Sequence, residues 1–506
     1  MALPEQNTIA TSPALRPIAA GAAGAIGAAA LDARVRQDLA FLNHPPPNWI
    51  PPTPSPDGRP VADVVVIGGG MVGLVGAFAL LRGGIRNLRI LDRNASGREG
   101  PWVTYARMET LRSPKQLVGP AYGMASLTFR AWFTARFGEA AWEELFRIPR
   151  TMWMDYLSWY REVLDLPVEN GVEVTRIRPR DDGLLDLDLA AGAPILARKV
   201  VLATGRDGLG HPTIPDFVRA LPRSRWSHSS DHIDFGALAG RRVVVIGVGA
   251  SAVDNAAEAL EQGAAEVRLL ARRARMPTIN KLMGVGSFGL TAGYPALDPA
   301  WRWRIMHYAA RQQTPAPRNS TQRVSRHPHA RFHFGAAVAS MAIEGDEIAI
   351  RAQDGRVFRT DHVILGTGFS VEPTSPPFLQ SFADRIAAWG DRYAPPPEEE
   401  SAELAAFPWL SDDFAFTERE PGSASFLANL HCFNYAAALS LGKVSGDIPA
   451  ISEGAGWLAQ GIAAGFFKAD IEAHWQALQA YSKPELLGDE WTDADAVGAE
   501  PMRASA

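Results

Sequence analysis

The sequence predicts an α/β protein with two Rossmann-like dinucleotide-binding domains, the second inserted into a discontinuous first domain. Two glycine fingerprints support this prediction: residues 68–73 read GGGMVG, and residues 247–252 read GVGASA. Each follows a short run of β-branched residues and opens an apolar helical pattern, as a pyrophosphate site at a helix N-terminus requires. In addition, two strand-like segments run into small residues at 203–205 and 366–368, where the chain would cross between the domains.

The glycines of each fingerprint have separate tasks. The first permits a tight turn, the second lets the backbone approach a phosphate, and the third small residue lets the helix pack on the strand. We therefore expect one nucleotide at Gly68, Gly70 and Gly73, and another at Gly247 and Gly249. One such fingerprint is weak evidence, whereas two in the same context indicate two nucleotide cofactors.

The residues after each fingerprint indicate which nucleotide binds there. The strand at 87–92 ends in Asp92, whose carboxylate can accept hydrogen bonds from both ribose hydroxyls of FAD or NAD. The strand beginning at residue 266 ends instead in Arg272 and Arg273, and a guanidinium group suits the 2′-phosphate of NADPH. The alternative for these two arginines is an ordinary solvated strand end.

Composition excludes several other classes of protein. The chain has 506 residues, 47% of them hydrophobic, which is enough for a large core and two or three domains. A net charge of −5 gives no reason to expect nucleic acid or an anionic membrane as a partner. Cys432 is the only cysteine, so a disulfide reductase is excluded, and the histidine spacing offers no metal site.

The compartment and the domain boundaries follow from the same survey. The Ala- and Gly-rich segment 17–31 is too short and too weakly apolar to span a bilayer, so we expect a cytoplasmic protein; its oligomeric state is left open.

The predicted organisation begins with an N-terminal extension at 1–60, which has a helix at about 28–42 and a proline-rich arm at 45–60. A first domain follows at 61–225 and resumes at 369–484, and a second domain lies between them at 226–368 with an insertion at 275–333. The chain ends in a predicted disordered acidic tail at 485–506.

Two of these segments have alternatives. The proline-rich arm would wrap over another domain or form a flexible leader. The insertion contains a helical pattern around Trp301 and Trp303, and would form either a lid beside the substrate or an elaborated surface.

Residues 61–467 resemble the class B flavoprotein monooxygenases, which include flavin-containing, Baeyer-Villiger and N-hydroxylating enzymes. The resemblance is carried by both fingerprints, Asp92, the arginines at 272 and 273, and the short segments 100–102 (GPW), 203–205 (ATG), 228–230 (HSS) and 366–368 (GTG). It implies that the first domain binds FAD with Trp102 beside the flavin, and that the second binds NADPH through Ser251 and Arg272.

The resemblance also implies candidate catalytic residues. Segment 104–115 falls where the family lines the flavin and oxygen site, so Arg107, Ser113 and Lys115 are candidates for polar contacts; a salt-bridged surface loop is the alternative. His228 matches the centre of a family signature, although Pro222 and Ser224 replace its phenylalanine and glycine, and His228 could instead be a structural histidine linking two domains.

Two further candidates lie near the C-terminus. Asn434 would contact substrate or flavin, and Asp447 would hydrogen-bond the ribityl chain or cap the helix that begins at about residue 450.

The implied reaction is oxygen insertion into a small organic substrate. NADPH would reduce FAD, dioxygen would form a flavin hydroperoxide, and one oxygen atom would hydroxylate a heteroatom or an electron-rich centre. Baeyer-Villiger oxidation of a ketone is a second alternative, weakened because His232 replaces the tryptophan of that subgroup. A third is a flavin reductase without oxygen insertion. The sequence does not name the substrate.

Overall fold

The computed structural model describes residues 22–206 and 208–491, so residues 1–21 of the predicted extension and most of the predicted tail lie outside the described residues. The helices are α1 (Ala22–Phe41), α2 (Met71–Arg82), α3 (Phe129–Glu144), α4 (Arg150–Val163), α5 (Ala250–Glu261), α6 (Phe288–Gly293), α7 (Pro299–Gln312), α8 (Arg318–Ser325), α9 (Trp389–Arg392), α10 (Ala402–Ala405), α11 (Ala438–Leu441), α12 (Ile451–Ala469) and α13 (Ile471–Ala480). Within the described ranges, no helix is both long enough and apolar enough to cross a bilayer.

The strands form two main sheets. They are β1 (Val61–Ile67), β2 (Leu88–Asp92), β3 (Val168–Asn170), β4 (Val174–Pro179), β5 (Leu185–Leu189), β6 (Ile195–Leu202), β7 (Gly210–Pro212), β8 (Trp226–His228), β9 (Arg242–Ile246), β10 (Glu266–Leu270), β11 (Ala330–His333), β12 (Val338–Glu344), β13 (Glu347–Ala352), β14 (Val357–Thr360), β15 (His362–Leu365), β16 (Phe369–Val371) and β17 (Leu430–His431).

The first sheet carries the first glycine fingerprint. Its strand order is β3-β2-β1-β6-β5-β4, and β17 lies parallel beside the carboxyl half of β6. Strands β1, β2, β3 and β6 are parallel, whereas β4 and β5 are antiparallel additions at one side. β1 is buried on both faces, which explains its continuous run of valines.

The second sheet is wholly parallel, in the order β11-β10-β9-β15-β8. Its strands lie in the sequence between β6 and β17, which confirms that the first domain is discontinuous and that the second is inserted into it. The antiparallel sheet β12-β13-β14 covers one face, where Met341, Ile348 and Phe358 pack with Val244 and Leu270 of the parallel strands.

The chain crosses between the domains twice, and the two crossings pair with each other. β7 and β16 form an antiparallel ribbon that matches Gly210 with Val371 and Pro212 with Phe369. A Cβ at Gly210 would overlap the Ser370 carbonyl oxygen, so this close approach requires glycine.

The N-terminal extension packs on the first domain. α1 begins earlier than the predicted residue 28, because its small residues serve close helix packing: a Cβ at Gly27 would overlap the backbone of Ala135 in α3. The Trp159 indole donates to Asp32 at 2.7 Å, and in the proline-rich arm the Trp49 indole donates to the Gly83 carbonyl at 2.7 Å. The described part of the arm therefore runs along the first domain.

Part of the insertion also packs on the first domain. Trp303 of α7 is 1% exposed, lies 6.3 Å from the ring of Trp389, and donates to the Glu399 carbonyl at 2.8 Å. α7 is therefore anchored to the first domain by Trp303, whereas Trp301 on its other side is half exposed. The final residues of the predicted insertion form β11, an edge strand of the second sheet.

Candidate nucleotide and substrate site

The first glycine loop lies between β1 and α2. Gly68 has φ of +109° and its N–H donates to the Leu91 carbonyl at 2.7 Å; a Cβ there would overlap the Ala203 carbonyl oxygen. A Cβ at Gly73 would overlap the Gly68 carbonyl oxygen. At Gly70, by contrast, φ is −74° and the nearest atoms to a Cβ are 3.8 Å away. Gly68 and Gly73 are therefore required by the fold, whereas Gly70 leaves space in front of the α2 N-terminus for a phosphate.

Asp92 lies beside this loop, as predicted from its place at the end of β2. One carboxylate oxygen accepts from the Gly69 N–H and the other from the Asn94 N–H, both at 2.8 Å. Each oxygen keeps a second lone pair that can accept from a ribose hydroxyl. A cavity of about 190 Å³ opens at this position, lined in part by Gly69, Gly70, Ser96, Glu99 and Arg161. The residues present therefore fit the adenosine diphosphate half of FAD.

Glu99 and Arg161 are residues of this cavity that the sequence reasoning missed. Glu99 is 3% exposed and accepts from Arg161 at 3.0 Å and from the Asn170 amide at 2.7 Å. The pair fixes opposite charges at the cavity wall. The one sign of this pair in the sequence is that Glu99 directly precedes the segment 100–102. Arg161 could not be assigned to it, because it lies 62 residues away on α4.

The second glycine loop repeats the geometry of the first. Gly247 has φ of +111°, and a Cβ there would lie 2.8 Å from the Gly366 carbonyl oxygen. Gly249 has φ of −73°, and the nearest group to a Cβ is the Gln313 side-chain amide at 3.5 Å. Ser251 lies exposed in the first turn of α5. The helix N-terminus is therefore accessible to a second pyrophosphate.

The structure separates the two arginines that follow β10. Arg272 is exposed and makes no hydrogen bond or ion pair with any residue that the structure describes. Arg273 is partly buried and donates to the Arg311 carbonyl at 2.8 Å, near the C-terminus of α7. Arg272 is therefore free to bind a 2′-phosphate, whereas Arg273 stabilises the insertion.

The turn between α7 and α8 brings the two domains together. The Arg112 guanidinium donates to the Pro315 carbonyl at 2.7 Å, and the Asn319 amide donates to Thr110 at 3.1 Å. Since Gln313 borders Gly249, this turn lies between the second glycine loop and the Thr110–Arg112 segment of the first domain. We call the space between this loop and this segment the common region.

Four arginines of the first domain have no carboxylate partner among the described residues. They make no ion pair within the described chain, and they are Arg107, Arg112, Arg150 and Arg206. Arg107 lies 5.5 Å above the ring of Phe235, and Arg206 lies 4.6 Å above the ring of Tyr435. Burial lowers the pKa of Arg107 and of Arg150, since each guanidinium loses solvent without gaining a bound carboxylate.

The predicted residues of segment 102–115 do not all face the common region. Trp102 packs edge-on against Trp153 at 6.3 Å and accepts from Arg150 through its carbonyl at 2.5 Å. Lys115 donates to the carbonyls of Trp142 and Glu143 and lies 4.9 Å above the Trp142 ring. Its ammonium group therefore caps the C-terminus of α3. The Ser113 carbonyl accepts from Arg147 at 3.3 Å.

His228 is fully buried at the end of β8. The Ser230 N–H donates to Nδ1 at 3.2 Å, so the ring proton lies on Nε2 and is donated to the Gly368 carbonyl at 3.0 Å. Phe369 contacts the ring edge-on at 5.5 Å. These contacts join β8 to the second crossing segment and favour the structural alternative; a catalytic role stays a prediction.

Asn434 joins the returning chain to the first crossing segment. Its amide donates to the Leu202 carbonyl at 3.1 Å and to Thr204 at 3.2 Å, while its oxygen accepts from the Ala436 N–H at 3.0 Å. Both amide hydrogens are thus engaged within the protein. The geometry favours a positioning role over direct contact with substrate.

Asp447 is half exposed and lies 3.5 Å from Lys443. Its side chain makes no capping hydrogen bond, because a 3₁₀ turn at Ile448–Ala450 separates it from α12. The helix-cap alternative is therefore wrong. Its charge acts on Arg112 and Tyr435, which places it at the edge of the common region.

Comparisons with known proteins identify the family. Residues 65–282 match a family model described as pyridine nucleotide-disulphide oxidoreductase. The chain is 38% identical over 462 residues to a FAD-dependent urate hydroxylase of Xanthomonas campestris pv. campestris, covering 91% of this chain and 97% of that protein. The chain belongs to the class B flavoprotein monooxygenases. It is therefore an oxidoreductase, as predicted.

Solved structures share the fold of this monooxygenase. L-lysine 6-monooxygenase from Pseudomonas syringae matches with a TM-score of 0.62 at 19% identity, over 81% of this chain and 99% of that one. Ornithine hydroxylase from Pseudomonas aeruginosa matches with a TM-score of 0.60 at 18% identity, over 80% and 99%. Kutzneria ornithine N-hydroxylase matches with a TM-score of 0.61 at 18% identity, over 80% and 100%.

The lone cysteine of this monooxygenase is not a redox thiol. Cys432 is fully buried, and burial raises the pKa of its thiol, so little thiolate forms. A redox-active disulphide within one chain, as the name of the matched family model suggests, requires a second cysteine, and this sequence has only one.

Asp254 is a buried carboxylate in α5, one turn after the second glycine loop. Burial raises its pKa to about 6, and Glu109 and Glu261 act in the same direction, against the opposing effects of Ser320 and Arg323. Its Oδ1 has no hydrogen-bond partner in the part of the chain that the structure describes. The folded protein therefore binds this proton more tightly than an exposed aspartate does, although the carboxylate form predominates at neutral pH.

The two open glycines allow each nucleotide site to be tested separately. Gly70→Leu should fold, since its backbone is unstrained. Its side chain should fill the phosphate space in front of α2, so the protein should lose FAD and be colourless. Gly249→Leu should keep the flavin spectrum and lose flavin reduction by NADPH. Absorbance at the flavin bands and anaerobic reduction measure the two effects. Full flavin in a folded Gly70→Leu variant would contradict the assignment of the first loop.

Asp254 predicts a pH-dependent stability. Its folded pKa lies above the usual value of 3.8, so proton binding at Asp254 stabilises the folded protein. This contribution is fully present below about pH 4 and is lost as the pH rises through about 6. Asp254→Asn should therefore raise the free energy of unfolding at pH 8 by at most roughly 3 kcal/mol, at ~1.4 kcal/mol per pKa unit, and much less at pH 4. The melting temperature, measured at both pH values, should rise accordingly. A stabilisation independent of pH between 4 and 8 would refute the raised pKa.

Proposed function

We propose that this protein hydroxylates urate, or a closely related electron-rich purine anion, with FAD, NADPH and dioxygen. One oxygen atom of dioxygen enters the substrate, the other leaves as water, and NADPH is oxidised to NADP⁺. The observation that carries the choice of substrate is the 38% identity to the urate hydroxylase across nearly the whole of both chains.

The residues present fit both cofactors. Gly68, Gly70, Gly73 and Asp92 would hold the FAD adenosine diphosphate, while Gly247, Gly249, Ser251 and Arg272 would hold NADPH. Bound FAD would supply the two-electron redox centre that activates dioxygen. Trp102, placed on the same segment as Arg107, would lie beside the flavin and help to exclude water.

The unpaired arginines support an anionic substrate. Urate carries a negative charge at neutral pH, and the protein as a whole has a net charge of −5. The negative net charge of the protein would repel such an anion. Local positive charge is provided by the four arginines Arg107, Arg112, Arg150 and Arg206. Arginine suits a flat purine anion further, because its planar guanidinium donates two parallel hydrogen bonds and stacks on ring faces.

The same arginines argue against an aliphatic amine as the substrate. The lysine and ornithine hydroxylases share the fold at 18–19% identity, and N-hydroxylation of an amine is the second candidate function. At close range each of these guanidinium groups would repel a cationic amine and attract an anion. Electron-rich carbon is therefore favoured over an amine nitrogen.

The proposed activity is tested by supplying the FAD-loaded protein with NADPH, dioxygen and urate. We expect urate to disappear in equal amount to NADPH, with one labelled oxygen in the product when ¹⁸O₂ is used. Ornithine and a cyclic ketone serve as matched alternative substrates. NADPH oxidation that yields only hydrogen peroxide with every substrate would support the flavin reductase alternative instead.

The contrast between Arg272 and Arg273 tests the nucleotide preference. Arg272→Ala should raise the KM for NADPH about tenfold or more, the effect of losing ~1.4 kcal/mol of charge-assisted binding, and leave the KM for NADH nearly unchanged. Arg273→Ala is the control, since its guanidinium is bound to α7; it should lower the melting temperature and preserve the preference. Equal losses with both nucleotides in Arg272→Ala would show that this arginine does not bind the 2′-phosphate.

A further inference from the structure

Arg323 of α8 joins elements of both domains and is 4% exposed. Its Nε and Nη2 donate to the two carboxylate oxygens of Glu261 in α5, at 3.0 and 2.6 Å. Its Nη1 donates to the carbonyl of Arg107 in the first domain, at 3.0 Å. One planar guanidinium thus binds the helix of the second glycine loop and the segment that carries Trp102.

Further carboxylates surround this guanidinium. Glu258 lies at 3.6 Å, Glu109 at 3.7 Å and Asp254 at 3.8 Å. Glu258 and Asp254 belong to α5, whereas Glu109 belongs to the first domain. Without Arg323, these acids would repel one another with no cation between them, so the two segments would separate.

The place of this arginine has a consequence for catalysis. α5 begins at the second glycine loop, so its orientation determines where a pyrophosphate is held. Arg107 follows Trp102 by five positions and lies on the segment expected beside the flavin. Transfer of a hydride from nicotinamide to flavin requires the two rings in close contact, and displacement by about 1 Å is enough to slow such a step severely.

We propose that Arg323 is a positioning residue that fixes the NADPH-binding helix against the flavin-facing segment. The proposal rests on the proposed function in that NADPH is the hydride donor. In the step concerned, two electrons and one proton pass as a hydride from NADPH to FAD, which leaves NADP⁺ and reduced flavin. Arg323 touches neither ring and acts through α5 and Arg107.

The chain supplies a matched control at the C-terminal end of the same helix. Arg326 also donates to Glu261 but is half exposed, and among the described residues it makes no hydrogen bond to Arg107. Arg326→Met therefore removes a charge from the residue that ends α8 and a partner from Glu261, and keeps the connection between the domains. Arg323→Met removes that connection, and Arg323→Lys keeps the charge without the bidentate hydrogen bonds to Glu261.

The first measurement is hydrogen–deuterium exchange of the FAD-loaded protein without NADPH. In Arg323→Met, peptides covering 104–112 and 250–261 should both exchange faster, while the core strands β1 and β9 stay protected. In Arg326→Met, the 104–112 peptide should be unchanged. Unchanged exchange at 104–112 in Arg323→Met, or faster exchange throughout the protein, would overturn the proposal.

The second measurement is anaerobic flavin reduction at saturating NADPH. The limiting rate should fall about tenfold or more in Arg323→Met, less in Arg323→Lys, and less than about twofold in Arg326→Met, with flavin content unchanged. If Arg323→Met does not fold, Arg323→Lys carries the same comparison. A wild-type rate in a folded Arg323 variant, or an equal loss in Arg326→Met, would overturn the proposal. If the wild type itself were not reduced by NADPH, the donor in the proposed function would be wrong, and the exchange data would still decide whether Arg323 joins the two segments.

Discussion

A contact between a glycine and a crossing segment recurs in both domains, and the rest of the molecule depends on it. Gly68 lies against the Ala203 carbonyl, and Gly247 lies against the Gly366 carbonyl. Each contact fixes a positive φ at the loop and brings a helix N-terminus beside the point where the chain leaves the domain. Both pyrophosphate sites are thereby placed at the junction of the domains.

The insertion completes this junction, although its sequence belongs to the second domain. Trp303 enters the core of the first domain, and Arg302 donates to the Ser440 carbonyl at 2.8 Å while lying 5.2 Å from the ring of Trp389. Beyond α7, Pro315 and Arg323 contact the segment that follows Trp102. The second domain thus holds the first through side chains on α7 and α8, in addition to the paired crossings β7 and β16.

Sequence alone predicted the parts of the site that depend on local pattern. Gly68, Gly247 and Asp92 were predictable because a strand, a tight turn and a helix leave a signature within a few residues. Arg272 and Arg273 could not be separated, since the partner of Arg273 is a carbonyl on α7. Lys115 resembled a site residue in sequence, but the end of α3 supplies its partners. Glu99, Arg161 and Arg323 were missed, because each acquires its role from a contact more than 60 positions away.

The pairing of β17 with β6 has a consequence for how the chain reaches this fold. β5 covers only residues 195–197 of β6, and the carboxyl half of that strand pairs with Leu430 and His431. During synthesis these two residues emerge after the entire second domain, so the carboxyl half of β6 lacks a partner on one side until then. The domain that begins first is therefore completed last. Its closure is a non-local and consequently slow event, because the strand that completes the sheet follows the inserted domain in the chain.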